Sequence, residues 1–167
     1  MKKLTGILLI LILTIGLTAC GSSGTNDTPA ADVDLQSFYD TLAEEFQWED
    51  GYLVDIEGEM LESYYPGLSE ISTKQFIAKM PMMSSVVNEV VFLQCEMEED
   101  AEKAAEILQS RINYQVGDEN NPGGAWYPES IEAWKQGQVI QQGTYVAMIA
   151  SAEHQDSIEE QFTALFA

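Results

Sequence analysis

Basic residues are scarce in this chain of 167 residues: seven Lys and Arg stand against 28 Asp and Glu, a formal net charge of −21. Nucleic acid is a poor partner for such a surface, because binding it relies on Lys and Arg displacing condensed counterions. There is one histidine, His154, and there are two cysteines, Cys20 and Cys95. Three such residues cannot build a zinc site of the usual four-ligand kind. No apolar run reaches the roughly 20 residues that a membrane-spanning helix needs. The serine-nucleophile patterns G-x-S-x-G and S-x-x-K are missing, as are the dinucleotide and phosphate-loop fingerprints. These absences lead us to expect a non-catalytic protein with no cofactor and no resident metal.

The N-terminus carries an address. Lys2 and Lys3 precede an apolar run from Leu4 to Leu17, and Leu17-Thr18-Ala19-Cys20 follows. A positive start, a short apolar stretch and small residues at a cleavage point describe a secretory signal. The last four residues resemble the lipobox of bacterial lipoproteins, which implies cleavage before Cys20 and lipidation of its thiol. Two acyl chains hold a protein stably where one holds it marginally. Residues 1–19 are thus expected to be a signal peptide. Residues 20–32, rich in Gly, Ser, Thr, Asn and Pro, read as the lipidated cysteine and a flexible tether. Residues 33–167 read as one domain on the extracytoplasmic face of the cell membrane. With Cys20 lipidated, Cys95 has no disulfide partner, and its apolar setting makes it a small buried hydrophobe.

Within the domain, Leu35, Phe38, Leu42 and Phe46 recur at helical spacing and predict a helix over about 34–47. A short helix near 59–65 ends at Pro66-Gly67. Residues 73–83 alternate as a strand, which Pro81 assigns to an edge or a bulge. Residues 86–97 are apolar on both faces and predict a covered central strand. Ala101, Ala104, Ala105, Leu108 and Ile112 form the stripe of a helix over about 99–114. Pro128 opens a short helix through Trp134. Val139-Ile140 and 145–150 form a hairpin. A last helix begins near Asp156 or Ser157 with a capping box and buries Ile158, Phe162, Leu165 and Phe166. The expected class is α+β: a mainly antiparallel four-stranded sheet with packed helices, strand-strand-helix twice after an N-terminal helical segment.

Several of these stretches resemble one family. They are Ile77-Ala78-Lys79-Met80-Pro81-Met82-Met83-Ser84-Ser85, then Asn88-Glu89-Val90-Val91-Phe92, and Glu99-Asp100-Ala101-Glu102-Lys103. Tyr127-Pro128, Trp134, Val139-Ile140 and Gly143-Thr144-Tyr145-Val146 belong with them. The family is the domain-of-unknown-function family 4358, a group of small bacterial lipoproteins. The resemblance implies a lipoprotein with an α+β fold and supplies no catalytic residues.

For binding, the leading expectation is a protein or cell-envelope polymer partner. It would be met by Trp126, Tyr127 and Trp134 beside the Asn-Pro-Gly loop, or by an exposed sheet edge. The alternative is a cation or small ligand held by the acidic 44–62 stretch. Its spacing departs from a Ca²⁺-binding loop, because Gly58 stands three positions after Asp55. Met80, Met82 and Met83 could gather soft metal but read as core filler. His154 reads as a solvated side chain.

Overall fold

The structure, a computed structural model, describes residues 32–49, 51–83 and 85–167. The expected signal peptide, Cys20 and most of the tether lie outside these residues. Helix α1 (Leu35–Glu45) leads to strand β1 (Leu53–Asp55), helix α2 (Gly58–Tyr64) and a 3-10 turn (Leu68–Glu70). Strands β2 (Thr73–Pro81) and β3 (Asn88–Cys95) follow, then helices α3 (Glu98–Val116) and α4 (Pro128–Gln136). Strands β4 (Gln138–Gln142) and β5 (Tyr145–Ser151) and helix α5 (Gln155–Ala164) complete the order. No helix among the described residues is long and apolar enough to cross a membrane.

The class is α+β, and the sheet is antiparallel throughout, in the order β1-β2-β3-β5-β4. It has five strands, not the four expected. Strand β1 is three residues long, too short to carry a period of two, and it exists by pairing with β2 (Leu53 opposite Pro81). It also removes β2 from the edge, one of the two settings that Pro81 allowed. Pro81 is the last residue of β2, where a missing N–H interrupts the ladder least. The register shift between Thr73 and Gln75 supplies the irregularity at the other end of the strand.

Strand β3 is central, as its two apolar faces require. Val91, Leu93 and Cys95 point to one layer, made by α3, α4 and the segment after α2. Val90 and Phe92 point to the other, made by Leu35, Phe38 and Leu42 of α1 with Ile158 and Phe162 of α5. Each such large apolar side chain, fully buried, stabilises the fold by about 1.5–3 kcal/mol. The strand-strand-helix order does occur twice, but α3 and α5 cover opposite faces, so the two halves are not copies in space.

Two helix ends differ from expectation. Helix α1 stops at Glu45 because Gln47 turns left-handed, with φ of 53°. Trp48 N–H then donates to Ala43 O (2.9 Å) and Gln47 N–H to Glu44 O (3.3 Å), the paired bonds of a Schellman cap. Glycine usually takes that position, so nothing in the sequence announced it. Helix α5 begins at Gln155, and no Asp156 or Ser157 box caps it. Gln155 instead accepts from Ser151 N–H (2.9 Å) and donates to Ile149 O (3.0 Å), tying the helix to the end of β5.

Val33, near the start of the described residues, and Phe166 meet at one pole of the sheet. Val33 N–H donates to the hydroxyl of Tyr145 (3.2 Å), and the Phe166 ring packs on Tyr145 at 5.1 Å. Helix α1 departs from that pole toward the other.

Cys95 is buried and free. Burial, then the charge of Asp100, pushes its thiol up from 9.0 to about 11. The unfolded chain therefore releases this proton first, and stability should fall as pH rises from 9 toward 11. Urea midpoints from pH 8 to 11 should show that slope, and Cys95→Ala should remove this share of it. An equal slope in the variant would assign it elsewhere.

Candidate functional site

Four chain segments converge at the pole opposite Val33 and Phe166, around a cavity of about 710 Å³. They are the exit of α1 (46–49, with 51 and 52), the turn into β3 (85–88), the start of α4 (129–130) and the step from β5 to α5 (151–154). This volume lies in the range of small-molecule sites. One wall is aromatic. Phe46 stacks on His154 with centroids 4.0 Å apart and planes 9° from parallel, and Trp48 follows at 5.7 Å from Phe46. Gln47, left-handed between Phe46 and Trp48, sets the turn that places both rings.

The floor is polar. Asn88, only 3% exposed, pairs with Ser151 across the β3–β5 ladder. Its Oδ1 is buried and makes no hydrogen bond. Such an atom costs about 1–3 kcal/mol relative to a satisfied one, so it stands out in a closely packed sheet. Ser130 donates to Ser85 O (3.3 Å), and Ser151 Oγ accepts from His154 N–H (3.2 Å). His154, expected in solvent, is instead half-buried on Phe46, with Glu153 3.8 Å from Nε2.

One residue along β3, on the opposite face, Glu89 is buried against Arg111 of α3. Arg111 Nε and Nη2 donate to Oε1 and Oε2, both at 2.9 Å, and the Tyr65 hydroxyl donates to Oε1. The guanidinium lies 4.2 Å from the Tyr64 ring centroid and 5.5 Å from that of Trp134. Burial, reinforced by the Glu89 carboxylate, pushes the Tyr65 phenol well above its ordinary range. Burial opposes the charge on Arg111, but Glu89 outweighs it and raises the guanidinium's pKa. The pair is closed to solvent and anchors α3 to the sheet beside the cavity floor.

The aromatic residues singled out from sequence separate. Trp134 is 5% exposed and belongs to the core with Arg111. Trp126 is 88% exposed and Tyr127 is 53% exposed, just before the α4 residues that line the cavity. Their loop is built rather than loose. Asp118 Oδ1 accepts from Asn120 N–H (2.7 Å) and Asn121 N–H (2.9 Å), which hold its carboxyl below the usual range. Gly124 N–H donates to Tyr114 O (2.9 Å), and a Cβ on Gly123 would stand 2.2 Å from Gln115 O.

The 44–62 acids are dispersed. Glu45 accepts from Gln161 (3.0 Å), Asp55 pairs with Lys79 (2.8 Å), and Glu62 accepts from Ser69. Among the described residues, no three His, Cys, Asp or Glu side chains are grouped to hold a metal ion. Asp50 lies outside the described residues. Met80 packs on the core, but Met82 and Met83 are exposed, because β2 ends at Pro81 and the alternation that would have buried them stops there.

Sequence reasoning passed over Asn88, Glu89 and Arg111 as site residues. The signal was present: an Asn-Glu pair opens a strand whose next four residues, Val90 to Leu93, are apolar on both faces, and one Arg sits on the apolar stripe of α3. No curated protein and no solved structure matches the chain. Residues 47–151, which run from one wall of the cavity to the end of β5, match the family described as domain of unknown function (DUF4358), and the chain belongs to that family.

Proposed function

We propose that this protein is a non-catalytic binding lipoprotein, held on the extracytoplasmic face of the cell membrane by a lipidated Cys20. It captures its ligand at the cavity walled by Phe46, Trp48 and His154. The observation that carries this reading is the cavity itself, with its stacked Phe46–His154 wall and with Asn88 in its lining. The test is cross-linking on intact cells of the full-length, Cys20-anchored protein, with capture and mass spectrometry. Asn88→Ala should lose the captured molecule while its unfolding free energy stays within about 1 kcal/mol of the parent, since the lost acceptor was unsatisfied. Unchanged capture by Asn88→Ala would sink the cavity reading.

A second reading rests on Trp126. Its 88% exposure on a well-tied loop suits a protein or cell-envelope polymer landing beside the cavity mouth. In that case Trp126→Ala abolishes capture and Asn88→Ala does not.

A further inference from the structure

We infer that β4 is the docking edge for a second copy of this chain, the two β4 strands pairing antiparallel across a twofold at Ile140. Strand β4 ends the sheet order, so its outer side has no strand beside it among the described residues. Natural sheets guard such edges with charge, proline, bulges or very short strands. The β1 edge is guarded, with three residues and Asp55. Strand β4 is not: Gln138-Val139-Ile140-Gln141-Gln142 has no charged residue and no proline, and it pairs with β5 without a bulge.

The open hydrogen-bonding groups of this edge follow from the ladder. Cys95 N–H donates to Thr144 O (2.8 Å) and Ala152 N–H to Val87 O (2.9 Å), so the even positions of β5 bond toward β3. The odd ones, Tyr145, Ala147 and Ile149, bond toward Gln142, Ile140 and Gln138 of β4. The N–H and C=O groups of Val139 and Gln141 therefore point outward. A twofold at Ile140 sets Val139 against the partner's Gln141 and Gln141 against the partner's Val139, which closes all four groups. The remaining side-chain pairs are Ile140 on Ile140 and Gln138 on Gln142, with no like charges opposed. Charge selects a second copy. With 28 acidic residues in each chain, strand-to-strand approach needs an uncharged segment on both, and residues 136–152 carry no Asp, Glu, Lys or Arg. Pairing β4 with β4 leaves only the short β1 edges outside, so assembly stops at two. Two five-residue strands bury little beside the roughly 800 Å² per partner of a standard interface, so the dimer is a weak one, in the micromolar range. Glu159 and Glu160 of α5 border the groove beside Ile140 in both copies, so added salt should tighten it.

The test is disulfide trapping in cells that carry the full-length chain. Opposed residues that exchange no hydrogen bonds stand about 4.5 Å apart at Cα, within the span a disulfide needs. Ile140→Cys should therefore give a reducible species of twice the chain's mass under mild oxidant. Gln138→Cys and Gln142→Cys each lie about 13 Å along the strand from their own copy. Neither should cross-link alone, and the two expressed together should. The parent chain sets the background, since its Cys95 is buried. No doubling by Ile140→Cys overturns the proposal. Equal trapping by all three variants means random collision and overturns it too. A product of any other mass assigns the edge to another protein's strand and overturns the second copy. Sedimentation of the full-length protein in detergent gives a measurement without added cysteine. It should show a concentration-dependent dimer, weakened at least about tenfold by Gln141→Pro, which removes one outward N–H and spares the β4–β5 ladder. A dimer indifferent to Gln141→Pro lies elsewhere on the molecule and overturns the proposal.

Discussion

Arg111→Met is expected to destabilise the domain by about 3–5 kcal/mol, seen as a lower urea midpoint at an unchanged m-value. The substitution keeps most of the side chain's apolar length and removes only the charge. What remains is a Glu89 carboxylate, 3% exposed, facing Tyr65 with no cation to balance it. An uncompensated buried charge is far more costly than a missing surface pair. The exposed Lys135–Glu132 contact of 2.7 Å provides the contrast: Lys135→Met should cost no more than about 0.5 kcal/mol. Replacing both partners, Glu89→Met with Arg111→Met, should recover most of the loss, because a packed apolar pair removes the desolvation penalty altogether. A single-variant cost below 1 kcal/mol would mean that water reaches Glu89.

The second large effect separates two tryptophans eight positions apart. Trp134→Ala should cost about 3–5 kcal/mol, the range for emptying a buried aromatic site. Trp126→Ala should stay within about 0.5 kcal/mol, because its ring touches little of the protein. Thermal melts of the two variants decide this directly. Trp134 lies against the Arg111 guanidinium, so its loss and that of Arg111 should not add. If Trp126→Ala unfolded the domain, its ring would be a packing element and the second binding reading would end.

The two tryptophans also mark what the sequence could reveal. Trp134 stands in the sequence as a binding candidate beside Trp126, yet it falls six residues into the helix that Pro128 opens, on the side buried with Ser130 and Ala133. Trp126 precedes the helix in a loop, where no periodicity speaks. The same division holds across the fold. Helices α3 and α5 and the β4–β5 hairpin are long enough to display their periods, and they are where the spacing places them. Strand β1 is not, because three residues between Gly51 and Gly58 carry no alternation. The end of α1 was hidden for a different reason. A Schellman cap with Gln47 in place of glycine looks like continuing helix until the backbone is seen.

The candidate site was the least legible part. Its wall and floor come from four segments separated by about 20 to 40 residues each, and only the sheet order brings them together. Asn88 could be recognised as a polar intruder in an apolar strand, but its lack of a partner is a property of the packed structure. His154 reads as solvated because its neighbours in sequence are polar; the ring it stacks on is Phe46, more than a hundred residues earlier.

The placement of Val33 and Phe166 has a mechanical side. Strand β5 begins at Tyr145, beside Val33 and Phe166, and ends at Ser151 in the cavity lining, a span of roughly 20 Å at the usual rise of a strand. If the chain is anchored through Cys20 as proposed, a pull between that anchor and a molecule gripped at the cavity would run lengthwise along the strands. Force in that direction loads the rungs of the ladder together, in shear, instead of peeling them one after another. A domain hung by one pole and gripping with the other would hold its load through the strongest axis of the sheet.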